Sequence, residues 1–84
     1  MFDMKIKYFA WIKDITNKDY EEINKNHPKN IEDLKKVLNS HYPDLKKHMN
    51  KNILRFAVNM EYVSTNKNLN SSDEIAIFPP VSGG

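Results

Sequence analysis

The only two glycines of this 84-residue chain are its last two residues, Gly83 and Gly84. At average usage, near 7%, about six would be expected. Every internal turn is therefore built without the residue that enters left-handed backbone at no steric cost. Cysteine is absent, which excludes a disulfide framework, a thiolate zinc site and a thiol nucleophile. The length allows one small domain with little room for an enclosed active-site cavity. Such a core has to hold by packing alone.

Charge and hydropathy narrow the class further. Hydrophobic residues are 39% and charged residues 29%, with a net charge of +2. No run approaches the ~18 apolar residues of a membrane span. No basic segment followed by an apolar one marks a signal peptide, so a cytoplasmic location is expected. Lysines alternate with Asp and Glu rather than forming a basic stripe, which argues against nucleic acid. The many asparagines read as compositional bias.

Met4 to Ala10 alternates, with Ile6 and Tyr8 on one parity and Lys5 and Lys7 on the other, as an amphipathic strand does. Trp11 to Lys18 reads as a loop, with Trp11 partly buried, and Asp19 to Asn24 as a weak edge strand. Asn30 can cap a helix whose first turn holds Glu32 and Asp33. Ile31, Leu34, Val37, Leu38 and Tyr42 give that helix one apolar face, and Pro43 ends it. Pro43 to Met49 adds a further helical turn or two, with Leu45 and Met49 inward.

Ile53 to Asn59 is a third strand, Tyr62-Val63 a brief fourth, and Asp73 to Phe78 the last. The polar stretch between them has one buried anchor, Leu69. Each element has one apolar face, so a mixed sheet of about five strands on one main helix, an α+β arrangement, is the economical solution. The domain runs over residues 1–80, and 81–84 project as a tail.

Strand parity leaves two large apolar residues, Phe9 and Phe78, on the solvent side, and Tyr62 lies on the brief fourth strand. Singly exposed apolar residues are ordinary; clustered ones mark a protein-binding patch. Parity alone does not choose between these. His27, His41 and His48 lack metal-ligand spacing, and Pro43 separates His41 from His48. No phosphate-cradling glycine loop is possible.

The tail Pro79-Pro80-Val81-Ser82-Gly83-Gly84 has a chemical logic. Two prolines stiffen its base. The glycines have no Cβ, so a partner's channel can close around the backbone. A carboxylate at Gly84 is ionised at neutral pH and can attack the α-phosphate of ATP on a partner enzyme.

The segment Asp73 to Gly84 closely resembles the C-terminus of the small, sulfur-carrier subunits of molybdopterin synthase, the MoaD family. Lys5-Ile-Lys-Tyr-Phe-Ala10, Ile31-Glu-Asp-Leu34 and Ala57-Val-Asn59 agree in order and spacing. Many relatives have Asp-Gly-Asp before the last strand, where this chain has Ser71-Ser72-Asp73; a positive φ at Ser72 would be strained.

The resemblance implies a β-grasp, ubiquitin-like fold and a carrier that is no enzyme on its own and binds no cofactor or metal. It implies that an E1-like adenylating enzyme of the MoeB type uses ATP to activate Gly84. A sulfur donor protein then forms the thiocarboxylate. It implies that Gly83, Ser82, Val81, Pro80 and Pro79 lie in a channel of the large, MoaE-type subunit of a heterotetramer. There sulfur passes to cyclic pyranopterin monophosphate in molybdenum cofactor biosynthesis. Phe9, Tyr62 and Phe78 fall at family positions that contribute apolar contacts to these partners. Two alternatives stay open: another β-grasp sulfur carrier, of the thiamine type, or a ubiquitin-like modifier or interaction module.

Overall fold

The computed structural model describes residues 3–80. Five strands, β1 (Met4–Tyr8), β2 (Tyr20–Ile23), β3 (Arg55–Val58), β4 (Glu61–Val63) and β5 (Glu74–Phe78), form one sheet in the order β2-β1-β5-β3-β4. Helices α1 (Ile12–Thr16), α2 (Ile31–His41) and α3 (Lys46–Asn50) complete the chain, with a 3-10 turn at Pro43–Leu45 between the last two. The result is a mixed β-grasp sheet: β5 runs parallel to β1 and antiparallel to β3.

The expected patterns place the core. Met4, Ile6 and Tyr8 of β1, Phe56 and Val58 of β3, and Ile75 and Ile77 of β5 are buried against Ile31, Leu34 and Leu38 of α2. Leu45, Met49 and Leu69 join them, as their spacing implied. Asn30 caps α2, its side chain accepting the Asp33 N–H at 2.9 Å. Glu32 and Asp33 lie in the first turn, where the helix dipole favours carboxylates.

Three expectations change. The segment after Trp11 is not loop but the short α1, closed by Asn17 in the left-handed conformation. Ile12 and Thr16 are buried one turn apart, an i, i+4 pair too short to stand out as a period. Trp11 itself is at the surface, 36% exposed, with its ring 4.7 Å from that of His48. Val37 is only half-buried, because it lines an open cleft beside β2 instead of packing in the core.

The asparagines have a conformational task. Among the described residues six have positive φ: Ala10, Asn17, Asn26, Asn52, Asn59 and Met60. Four of these are Asn, whose short polar side chain tolerates left-handed backbone better than other residues with a Cβ. Asn59 (φ 51°) and Met60 (φ 72°) are the two-residue loop of the β3–β4 hairpin, which needs positive φ at both positions to match the strand twist.

Asn59 also reaches across the sheet. Its Nδ2 donates to Asp73 Oδ1 at 2.9 Å, and its Oδ1 accepts the Glu74 N–H at 3.0 Å. Asp73, 6% exposed, accepts the Asn70 N–H at 2.8 Å through its other oxygen. The Asp73 N–H returns to Asn70 O at 3.1 Å, closing a turn in which neither Ser71 nor Ser72 has positive φ. The missing glycine before the last strand therefore imposes no strain there.

A second polar cluster lies on the inward face of the β2 edge. Glu21 accepts hydrogen bonds from the hydroxyls of Tyr8 and Tyr42, the latter at 2.5 Å, and Lys18 Nζ lies 3.4 Å from its other oxygen. Burial pushes the Glu21 carboxyl up, but the hydroxyls of Tyr42 and Tyr8 and the Lys18 charge outweigh it and hold it below the usual range. Burial and this carboxylate push the Tyr8 hydroxyl well up.

Both clusters are open to test by unfolding. Asn59→Ala should lower unfolding free energy by about 2–3 kcal/mol in urea, through lost hydrogen bonds and turn strain. Asn59→Gly keeps the turn and should cost about 1–2 kcal/mol. Equal losses would remove the turn contribution. Glu21 is more stable as the carboxylate when folded, so its contribution is present above its unfolded pKa and lost as pH falls through the lower folded value. Urea midpoints should fall on acidification below the ordinary carboxylate range, with a shallower acid limb in Glu21→Gln.

Candidate functional site

The face of the sheet away from the helices carries the candidate site. Register fixes its rows: Lys7 lies opposite Ala76, Ala76 opposite Ala57, and Ala57 opposite Tyr62. The next row pairs Phe78 with Arg55. The Phe9 N–H donates to Ile77 O at 3.1 Å, one step past the Tyr8–Ile77 pair, so Phe9 and Phe78 end neighbouring strands side by side.

The side chains make an apolar shelf. Tyr62 is 74% exposed and Phe9 44%, while Phe78 is half-buried. The Tyr62 and Phe78 rings meet edge to face with centroids 5.5 Å apart, within the favourable range for aromatic pairs. Ala57 and Ala76, both half-buried, floor a shallow trough beside that pair. Lys7 and Glu74, bridged at 3.1 Å, form its polar border. Phe9 and Phe78, singled out by parity, and Tyr62 of the brief strand are thus neighbours at one end of the sheet.

Phe78 is also the last residue before the prolines. Pro79 is half-buried and Pro80 exposed. The chain leaves β5 from the middle of the sheet, because β5 is flanked by β1 and β3. A proline is tolerated there because both neighbours stop at this level: β1 ends at Tyr8 and β3 begins at Arg55. Val81, Ser82, Gly83 and Gly84 lie outside the described residues.

Sequence reasoning missed two features around this site. Met60, at the hairpin tip beside Tyr62, is 93% exposed. The Glu21 cluster was also missed; its signal was a carboxylate sharing the inward parity of β2 with Ile23. Among the described residues no cluster of His, Cys, Asp and Glu fits a metal ion, and no helix is long and apolar enough to cross a membrane.

The ThiS family profile matches residues 6–84. The chain belongs to the ThiS family. Curated relatives of this ThiS-family chain include the molybdopterin synthase sulfur carrier subunit of Dictyostelium discoideum, 39% identical over 95% of this chain and 94% of that protein. The protein of the same name from Escherichia coli K12 is 30% identical over 96% and 99%. Among solved structures, a putative molybdopterin converting factor subunit 1 from Pyrococcus furiosus superposes with a TM-score of 0.80 at 28% identity, covering 96% of this chain and all of the other.

The small archaeal modifier protein 1 of Methanosarcina acetivorans gives 0.79 at 25% identity, over 100% and 98%. A complex of subunits 1 and 2 of the Helicobacter pylori molybdopterin-converting factor contains a chain of the same fold, with a TM-score of 0.68 at 24% identity over 99% of this chain and all of that one.

Proposed function

We propose that this ThiS-family chain is the sulfur-carrier subunit of a molybdopterin synthase. The observation that carries the reading is the continuity of Phe9, Tyr62 and Phe78 with the base of the tail at Pro79-Pro80. Docking on the aromatic shelf delivers the residues after Pro80 to a partner's site in a fixed direction. The names of the Dictyostelium and E. coli relatives support the same role. The Helicobacter complex supports a large subunit as the partner.

The chemistry belongs to the Gly84 carboxylate. An adenylating enzyme joins it to the α-phosphate of ATP, releasing pyrophosphate. Carboxylate is a poor electrophile, and the acyl-adenylate supplies AMP as leaving group. The terminal sulfur of a donor protein's persulfide attacks the carbonyl carbon and expels AMP, and a thiol then cleaves the resulting acyl disulfide, leaving a disulfide on the donor side and the thiocarboxylate. That anion donates sulfur to the pterin precursor, and water returns the carboxylate. The carrier supplies position and a reactive terminus while partners supply the catalytic groups. Glycines at 83 and 84 suit a narrow channel. The modifier named among the structural neighbours gives the second reading, in which the activated Gly84 is attacked by a lysine amine of another protein.

Incubation with an adenylating enzyme, ATP and a sulfur source should raise the intact mass by exchange of one oxygen for one sulfur. No change with an enzyme competent on another carrier overturns the carrier role, and adducts on lysines instead favour the modifier. Deleting Gly84 should abolish the exchange with thermal stability unchanged.

Phe78→Asp is expected to stay folded by circular dichroism and to weaken binding to a large synthase subunit by about tenfold or more, as a charge in a contact centre does. Unchanged affinity in the folded variant places docking elsewhere.

A further inference from the structure

A cleft of about 510 Å³ opens between α2 and the β3–β4 hairpin. Leu54, Phe56 and Val63 form its apolar wall. Tyr62 and Arg55 line it too, and both belong to the outer rows of the sheet that carry the aromatic shelf. The cleft is therefore continuous with the shelf.

Among the described residues three charged side chains line it: Glu32, Lys35 and Arg55. Glu32 and Lys35 bridge each other at 3.3 Å, and Lys35 Nζ also stands 5.7 Å from the centre of the Phe56 ring. No carboxylate of the described residues lies within ion-pair distance of Arg55. The cleft thus carries one unmatched positive charge. The sequence around Arg55 offers nothing to offset it: Leu45 to Met60 holds three lysines, Arg55 and no Asp or Glu.

Arg55 is the only arginine in a chain otherwise rich in lysine. It pairs in register with Phe78, the last residue of β5 before the prolines. Its Nη1 donates to the Asn52 carbonyl at 3.2 Å, which orients the guanidinium and leaves its other N–H groups for a ligand. A planar guanidinium matches the two oxygens of a carboxylate as a lysine ammonium does not. A phosphate group carries about −1.5 to −2 at neutral pH and calls for more than one free cation. One unmatched guanidinium suits one carboxylate. Beside an aromatic pair in a contact, such an arginine carries a large share of the binding energy.

The geometry points to Arg55 as the receptor for one Asp or Glu side chain of the large synthase subunit, received in the cleft beside Tyr62 while Phe9, Tyr62 and Phe78 dock. This assignment rests on the sulfur-carrier reading above. Four residues follow Pro80 and can span about 14 Å. A contact at Arg55 therefore sets the affinity and register of docking and takes no part in sulfur transfer from Gly84.

The test is calorimetric binding of the full chain to a large synthase subunit, with transfer kinetics alongside. Arg55→Gln and Arg55→Glu should each weaken binding by about tenfold or more, as loss of one partner of an interfacial charge pair does. Arg55→Lys should fall between them and the unaltered chain. Affinity of the unaltered chain should drop with salt more steeply than that of Arg55→Gln. The variants should raise the half-saturating carrier concentration for transfer and leave the rate at saturation unchanged. Arg55 is exposed, so circular dichroism and urea midpoints should hold, and Arg55→Gln keeps a donor for the Asn52 carbonyl. Unchanged affinity of the folded variants overturns this proposal and leaves the carrier reading standing. No binding of the unaltered chain overturns both. Competition by inorganic phosphate that Arg55→Gln abolishes overturns it in favour of a free-anion site. A shift of the Arg55 side-chain NMR signal in the free chain on amidation of Gly84 overturns it in favour of the chain's own terminus.

Discussion

The two-sided pairing of β5 is the constraint on which the rest depends. Its backbone bonds to β1 on one side and β3 on the other, so neither can shift register without the last strand. A one-residue slip would turn Ile75 and Ile77 to solvent and Phe78 into the core. The same pairing sets Phe9, Phe78 and the exit of the tail at one level of the sheet. Fold stability and presentation of the tail are therefore one property of this strand.

Turns without glycine are the complementary problem. Left-handed backbone at residues with a Cβ costs free energy, and this chain places Asn at most such positions. Asn59 makes its position stabilising in a second way. Its amide links the hairpin to Asp73 and Glu74 at the start of β5. The two ends of β5 are thus fixed differently: an amide–carboxylate network at its entry, prolines at its exit. The Glu21 cluster plays a comparable part at the β2 edge, where few apolar residues are available to hold a strand.

The two surfaces differ in physical character. The outer shelf presents aromatic rings over small alanines, which suits a broad apolar contact. The cleft between β2 and α2 offers the free backbone groups of an edge strand and a rim of mixed charge. They lie on opposite faces of the sheet.

Much was legible in the sequence because the signals were local. Alternation gave the inward residues of β1, β3 and β5, and Asn30 with Pro43 bounded α2. Parity picked out Phe9 and Phe78, and the prolines marked the base of the tail. Helix α1 was not legible, since five residues give too little period. The part played by the asparagines was hidden because φ is set by tertiary closure, not by composition.

By itself the sequence determined which side of each element is apolar and what chemistry a terminal Gly-Gly can carry, because these depend on side-chain order along the chain. Only the tertiary structure decided that β5 is central, that three distant aromatics meet beside the tail, and that Glu21 is bonded by two tyrosines. Strand order and register join residues far apart in sequence, and no local pattern encodes those distances.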